Sequence, residues 1–366
     1  MALPSLAVVS SIVLEGLSYR KSESKINNKP TGIFVKEQHL PAVQASSDLD
    51  LKALYSRSLA SAQNVSTSLK DVDLYSDDSK PLSDLLARAD IQAVIIALPI
   101  PAQPAYIKQA LSAGKHVLAE KPIAKDIATA RELIQWYNSN ADKSKASLAI
   151  AEQFRYFNAF NLGAQRAREL GRVLNFRVRM QTCIQQGGKY IETAWRKTPE
   201  YQGGFLLDGG VHFIAGLRCL LGSEAKPTSL SAFTAQHQSY LPPVDSADAV
   251  LRLKNGGQGT FSLSFGTTAT GNEWMVACEG GEVFVEPFEG KVTVKAKGES
   301  EGKTEEAKDE FGGVKQEVFA WAKSIKEGNP DSRQSPEEAL GDLEVLEAII
   351  KSGQRDGIPV NLYHQT

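Results

Sequence analysis

The residues best suited to chemistry sit in two short stretches. In the first, His116-Val117-Leu118-Ala119-Glu120-Lys121-Pro122, an apolar run ends abruptly in a charged pair. Pro122 stops the strand because it lacks a backbone donor and its ring fixes φ. A lysine at the carboxyl end of a buried strand stands where open parallel sheets bind ligands, and there it can hold a substrate hydroxyl and exchange a proton with it. In the second stretch Asp208 and His212 are four apart, so a helix puts them on one face. A histidine poised near neutrality can take a hydroxyl proton, and a nearby carboxylate can orient it or the substrate. Gly203 and Gly204 would let the backbone approach a ligand closely. Gly209 and Gly210 cost about 1 kcal/mol each against alanine in a helix, which invites a ligand or cofactor packed against them. Taken alone, each stretch also reads as ordinary structure: a surface charge pair at a strand exit, and a helix-start carboxylate with a core histidine.

The chain that must position these groups has 366 residues, enough for two domains. A 42% hydrophobic and 23% charged composition is that of a soluble globular protein. With 41 Lys and Arg against 43 Asp and Glu, the net charge of −2 suggests neither a nucleic-acid nor a membrane partner. Cys183, Cys219 and Cys278 are scattered without metal spacing, which argues for a reducing, cytoplasmic setting and against a disulfide frame or zinc site. No unbroken apolar run is long enough to cross a bilayer, and residues 1–16 lack the basic start of a secretory signal.

Over residues 1–152 strand and helix alternate, which predicts a doubly wound parallel sheet, a Rossmann dinucleotide-binding domain. Strands are expected over 6–9, 51–55, 93–98, 117–119 and 147–151, and helices over 58–69, 80–89, 104–113 and 127–138. Residues 93–98 are apolar throughout, as a strand buried on both faces must be. A glycine turn should follow the first strand at once, because pyrophosphate needs backbone amides held close at a helix start. Instead residues 10–30 intervene before Thr31-Gly32-Ile33-Phe34 leads into a helix-like run. The insert reads either as a surface loop at the cofactor mouth or as a short unspliced intron read through in frame. The second reading is favoured, because a polar insert of this length would pull strand and helix apart. After the second strand comes Ser56-Arg57-Ser58. An acid there would bind the ribose 2′-hydroxyl of NAD, whereas arginine with small hydroxyl neighbours suits a 2′-phosphate and favours NADP.

Over residues 153–366 strands dominate. Residues 173–181 alternate apolar and polar, and 249–253 and 259–265 flank Asn255-Gly256-Gly257, a hairpin signal. Strands at 274–278, 282–285 and 291–295 continue the series, a polar loop tip is expected over 299–309, and helices over 159–170, 311–325 and 336–352. This predicts an α+β domain built on a large, mostly antiparallel open sheet. One face would pack on helices, and the other would form a subunit interface in a homodimer or homotetramer.

Glu120-Lys121-Pro122 together with Gly203-Gly204-x-x-x-Asp208-x-Gly210-x-His212 resembles the Gfo/Idh/MocA family, the glucose–fructose oxidoreductase, inositol dehydrogenase and rhizopine-catabolism group. The match runs from Gly32 to the closing helices, and the two motifs are specific together where either alone is weak. The resemblance implies a Rossmann domain followed by an α/β domain with a large open sheet. It also implies hydride transfer between a nicotinamide, of NADP or NAD, and a carbinol carbon of a small hydroxylated substrate: a sugar, polyol or dihydrodiol. Lys121 looks like the family's catalytic lysine, and Asp208 and His212 like its carboxylate and histidine. Trp195 and Arg196 resemble the pair beside cofactor and substrate, and Leu98 and Pro99 the turn that lines the nicotinamide. Cofactor contacts are thus expected from Gly32, Ile33, Phe34, Ser56, Arg57, Leu98, Pro99, Glu120, Lys121, Pro122, Trp195 and Arg196. Substrate contacts are expected from Lys121, Arg155, Tyr156, Asp208 and His212, with further pocket walls near Cys183, Gln185 and Tyr190, and no metal. A rival reading is a non-catalytic regulator of the same fold that senses a dinucleotide or sugar, as in a galactose-gene repressor. The intact Lys121, Asp208 and His212 argue for the enzyme, since a pure binder has no need of all three.

Overall fold

The apolar runs of the first half become parallel strands, each followed by a helix. In the computed structural model, which describes residues 5–10, 34–188, 191–309 and 311–366, these are β1 (Ser5–Ser10), α1 (Leu40–Ala45), β2 (Asp50–Ser56), α2 (Leu59–Val65), β3 (Asp73–Ser76), α3 (Leu82–Leu86), β4 (Ala93–Ala97), α4 (Gln103–Ser112), β5 (His116–Glu120), α5 (Ile127–Asn140) and β6 (Leu148–Ala151). Ser10 closes β1, while the rest of the insert, Gly32, Ile33 and Tyr190 lie outside the described residues. The strand order is β3-β2-β1-β4-β5-β6, with every pairing parallel. The chain runs outward from β1 to β3 and then restarts at β4 on the other side of β1. The carboxyl ends of β1 and β4 therefore flank the crevice where doubly wound sheets take their ligands.

Alternate residues of these strands feed two cores. Ala7, Val94, Ile96, Val117 and Ala119 face one way, with Ile107 of α4 and Leu133 of α5. Leu6, Ala93, Ile95, Leu118 and Ala151 face the other way, with Leu40 and Val43 of α1 and with Val314, Val318 and Trp321. The last three belong to a helix from the far end of the chain, so the second half of the sequence completes the core of the first sheet.

That second half comprises α6 (Asn158–Glu169), β7 (Val173–Cys183), α7 (Ala194–Lys197), α8 (Gly204–Leu221), β8 (Pro227–Ala235), β9 (Ser246–Leu253), β10 (Gln258–Ser264), β11 (Gly266–Cys278), β12 (Gly281–Glu286), β13 (Lys291–Ala296), β14 (Lys303–Glu306), α9 (Val314–Glu327), α10 (Pro336–Gly353) and β15 (Val360–Asn361). Its nine strands form one sheet in the order β14-β13-β12-β11-β7-β10-β9-β8-β15. Only the β10–β7 pairing is parallel. Helices α6, α8 and α10 cover one face. Helix α8 is apolar enough, at a mean hydropathy of 1.4, to pass for a membrane span by composition, but it is a core helix packed on α6, α10 and β7.

Four strands depart from expectation, one of them the two-residue β15 beside β8. The segment 303–306, expected as part of a loop tip, is β14, which pairs with β13 at the sheet edge. Its Lys303, Thr304, Glu305 and Glu306 suit an edge, where charge blocks further strand addition. β8 and β3 give no apolar run long enough to single them out, and they are recruited by neighbours rather than by their own pattern.

Candidate active site

Strand β5 delivers Lys121, and strand β6 delivers a residue that sequence reasoning missed, Glu152. Glu120 and Ala151 are paired across the two parallel strands, so the next residues, Lys121 and Glu152, leave the sheet side by side. The exit after β5 is held by Gln103, fully buried, whose side-chain N–H groups donate to the carbonyls of Glu120 (3.0 Å) and Pro122 (3.3 Å) on either side of the lysine. The Glu120 carboxylate itself turns away to His39, buried in the first domain, which donates from Nε2 at 2.7 Å.

Helix α8 brings the other half. Lys121 Nζ donates to the Asp208 carbonyl oxygen at 2.8 Å and to its Oδ1 at 3.1 Å. Within an α-helix the carbonyl of residue 208 closes the turn that carries the amide of residue 212, so the ammonium sits one turn from His212. Asp208 accepts a second cation at its other oxygen, Arg196 Nε at 2.6 Å, and that guanidinium lies 4.0 Å from the Trp195 ring centre. Burial alone would raise the Asp208 carboxyl, but the charges of Arg196 and Lys121 and their hydrogen bonds hold it well below the usual carboxylate range.

His212 is gripped twice. Its Nδ1 lies 2.8 Å from Glu152 Oε1, and its ring stacks on Phe154 at 5.0 Å between centres and 22° between planes. A carboxylate only accepts, so Nδ1 carries a proton, and in the neutral ring Nε2 is the atom left with a lone pair. Burial pushes the Glu152 carboxyl up, yet His212 first, then Arg155 and Lys121, bring it below its ordinary value. Lys121 and His212 keep 13% and 16% of their side-chain surface exposed, whereas Glu152 keeps 2%. The pair that can meet a ligand is accessible, and the group that orients it is not.

Asp208 thus serves Lys121 and Arg196, and the carboxylate that orients His212 is Glu152. The signal that could have found Glu152 is the one that found Lys121: a charged residue directly after a buried parallel strand.

Two expected substrate residues lie elsewhere. Arg155 points at Asp342 of α10 (2.6 Å) and Tyr156 donates to Asp331 (3.0 Å) beneath the Arg333 guanidinium. Arg155 lines a different cavity, of about 240 Å³, with Arg218, Cys219, Lys226 and Arg333. Both side chains thus have protein partners, an ion pair for Arg155 and a hydrogen bond for Tyr156. The glycines also have protein reasons. A Cβ on Gly204 would stand 2.1 Å from the Pro242 carbonyl oxygen and one on Gly203 2.4 Å from Ile350 Cδ1, while both residues hold positive φ, +51° and +73°. Cβ atoms on Gly209 and Gly210 would meet Phe265 at 2.9 Å and Leu263 at 3.0 Å.

The residues at the strand ends fit a dinucleotide. At the end of β2, Ser56 is fully buried and its hydroxyl has no hydrogen-bond partner among the described residues. Arg57 follows it, and Ser58 is committed to capping α2 through the Ser61 amide. Leu98 and Pro99 close β4, with Leu98 buried, and Phe34 stands edge-on to His39.

Comparison with known proteins agrees with this geometry. Residues 31–146 match the Gfo/Idh/MocA oxidoreductase family's NAD-binding Rossmann fold, and residues 166–362 match its C-terminal alpha/beta domain. The chain belongs to the Gfo/Idh/MocA oxidoreductase family. It is 42% identical over 337 residues to dehydrogenase FPY6 of Fusarium mangiferae, covering 89% of this chain and 95% of that protein. It is 27% identical over 334 residues to a D-xylose 1-dehydrogenase (NADP⁺) of Haloferax volcanii, covering 88% and 95%. A crystal structure of an oxidoreductase from Thermotoga maritima superposes with a TM-score of 0.82 at 23% identity, covering 98% of each chain. This Gfo/Idh/MocA member is an NAD(P)-dependent dehydrogenase of the class acting on CH–OH groups.

Proposed function

We propose that this dehydrogenase moves a hydride between NADP, or NAD, and a carbinol carbon of a sugar, polyol or dihydrodiol, with His212 and Lys121 sharing the carbinol oxygen. The observation that carries the reading is that Lys121 Nζ rests on the helical turn that bears His212, while Glu152 occupies Nδ1 of that histidine.

When bound, the nicotinamide accepts or returns the hydride. The chain supplies the rest. In the oxidative direction His212 Nε2 takes the hydroxyl proton, and Glu152 at Nδ1 compensates the imidazolium charge that results. The hydrogen bonds of Lys121 to Asp208 account for two of its three N–H groups. The third donates to the oxygen as negative charge builds there. Asp208 aims Lys121, and Arg196 shares that carboxylate. In the reductive direction the same groups run in reverse.

Ser56 and Arg57 at the end of β2 support NADP as the preferred cofactor, through a 2′-phosphate. The uncovered face of the nine-stranded sheet exposes Phe233 (66%), Val250 (52%) and Leu174 (40%), which supports assembly of two copies through that face. A panel of sugars, polyols and dihydrodiols, run with NADP and NAD, tests the activity. Turnover that requires Lys121 is expected. Tight cofactor binding without turnover of any alcohol would replace the enzyme with a dinucleotide-dependent sensor.

A further inference from the structure

Helix α10 meets both halves of the candidate site through one side chain. Glu347, on α10, is 5% exposed. Its Oε2 accepts two hydrogen bonds, from the Ile127 amide at 2.8 Å and from Gln202 Nε2 at 2.6 Å. Ile127 opens α5, at the end of the turn that begins with Lys121. Gln202 immediately precedes Gly203 and Gly204, where α8 begins, and α8 carries Asp208 and His212. A single carboxylate oxygen therefore holds the far end of the lysine's turn and the entrance of the histidine's helix. The other oxygen of Glu347 pairs with Lys351, one turn further along α10 and half exposed.

Each of these two segments needs such an anchor. The first amides of a helix have no partner within it. Asp126 caps α5 by accepting from the Thr129 amide at 2.7 Å, which leaves the Ile127 amide to Glu347. A carboxylate at that place also meets the positive end of the helix dipole. Gln103 already holds the carbonyls on either side of Lys121, so the turn from Lys121 to Ile127 is tied at its start by Gln103 and at its finish by Glu347. On the other side, Ile350 shares a face of α10 with Glu347, and a Cβ on Gly203 would stand 2.4 Å from Ile350 Cδ1. Gln202 is thus hydrogen-bonded to the same face of α10 that Gly203 packs against. The bonds of Lys121 to Asp208, at 2.8 and 3.1 Å, depend on how far apart these two anchored segments stand.

We propose that Glu347 is a positioning residue for the Lys121–His212 couple: by binding the start of α5 and the entrance of α8 to one oxygen, it sets the separation at which the ammonium and the imidazole face a common carbinol oxygen. Among the described residues its hydrogen bonds go to neither Lys121 nor His212, so it acts through the backbone that carries them. Its meaning for catalysis rests on the function proposed above; its grip on the two segments does not. The strand ends to which that function assigns the dinucleotide, those of β2 and β4, take no part in the contact, so Glu347 bears on turnover and not on cofactor affinity.

Steady-state kinetics beside NADPH binding, followed by nicotinamide fluorescence, test the role. Glu347→Met, of similar length but without an acceptor, should lower kcat by about 10–100-fold through misplacement of the couple, with NADPH affinity unchanged. Glu347→Gln keeps an oxygen for both donors and should return kcat close to that of the wild type. Gln202→Met frees only the α8 side and should lower kcat by less. Combined with Glu347→Met it should add nothing, because both variants break one contact. Wild-type kcat in Glu347→Met, or a kcat in Glu347→Gln as low as in Glu347→Met, overturns the proposal. Should Glu347→Met fail to fold by circular dichroism, Gln202→Met decides: lowered kcat at unchanged NADPH affinity supports the role, and wild-type kcat overturns it. Hydrogen exchange without substrate keeps this test apart from that of the function. In Glu347→Met the Ile127 amide and the Leu207 amide, which closes the first turn of α8 on the Gly203 carbonyl at 3.3 Å, should lose protection together. If the wild type turns over no alcohol, the proposed function fails and exchange alone decides the contact: joint loss supports it, and unchanged protection overturns it. If the wild type is active, joint loss of protection at wild-type kcat overturns the positioning role and leaves the dehydrogenase reading standing.

Discussion

Helix α8 carries two buried charge clusters, and they are built to opposite ends. Near its finish, Arg218 and Arg155 face Asp342 and Glu338, two cations against two carboxylates. Arg218 spends its donors on Gln365, Asp342, the Glu338 carbonyl and Thr366, and a Cβ on Gly341 would stand 2.6 Å from its guanidinium. Near its start, Lys121 and Arg196 share the single carboxylate of Asp208, and among the described residues His212 beside them is held by Nδ1 alone. The first cluster is balanced in charge, two guanidinium groups to two carboxylates. Among the described residues, the second leaves one lysine N–H and His212 Nε2 without a partner. Buried ion pairs hold position when complete, but binding and proton transfer need capacity left over.

Breaking each cluster should separate the two roles. The largest effect is expected at Lys121. Lys121→Met should lower kcat/KM by about 10³–10⁴-fold by removing the oxygen's charged donor. Asp208 keeps Arg196, so the thermal midpoint should stay close to that of the wild type, checked by calorimetry beside the NADP-linked assay. Asp342→Asn should do the reverse. It leaves two buried guanidinium groups to the one carboxylate of Glu338 and should cost about 3–5 kcal/mol of stability in denaturant unfolding. Turnover per folded molecule should not change. Lost turnover at full stability in Asp342→Asn would mean that the two clusters act as one site.

Glu152→Gln comes next. Loss of the anion behind His212 should lower kcat by about 10²-fold with a smaller change in KM, since ground-state binding does not use it. Steady-state kinetics on whichever alcohol is accepted would show the split.

The pH dependence of stability sharpens the comparison within the active cluster. Asp208 and Glu152 have folded values below their unfolded ones, so their contribution is present above the unfolded carboxyl range and is lost as pH falls through the folded values. Glu317, buried on α9, has the opposite sign. Above the ordinary glutamate value of 4.5 the unfolded chain releases its proton while the folded protein keeps it, so its contribution declines as pH rises. Glu317→Gln removes that decline. Relative to wild type, the variant should gain stability from about pH 4.5 upward, at no more than about 1.4 kcal/mol per pH unit, until the native Glu317 itself ionises. Unfolding curves at several pH values measure it.

These clusters also show what could be read from the chain. Lys121 was legible because a buried strand ends in charge, and Asp208 with His212 because four residues make a turn. Glu152 follows β6 as Lys121 follows β5, but its partner lies 60 residues away and no spacing connects them. Arg155, expected at the substrate, turns to Asp342, 187 positions later, a partner that no local spacing announces. β14 was missed because an edge strand needs no apolar face to pair. The glycine turn after β1 lies outside the described residues, so the insert stays a question for the transcript.

The glycines of α8 offer the smallest and most direct comparison, between packing and ligand contact as reasons for a missing side chain. Alanine at Gly209 gains about 1 kcal/mol of helix propensity. Its Cβ would then stand 2.9 Å from Cζ of Phe265. That ring is buried and set edge-on to Phe205 at 5.0 Å, with Phe213 at 6.1 Å, so it cannot simply swing aside. Overpacking of this kind costs about 1–3 kcal/mol, which outweighs the propensity gain. Gly209→Ala should therefore lower the thermal midpoint by a small amount and leave NADPH affinity, followed by nicotinamide fluorescence, unchanged. Weakened NADPH binding at an unchanged midpoint would reverse the assignment and put the cofactor, rather than Phe265, against that turn of the helix.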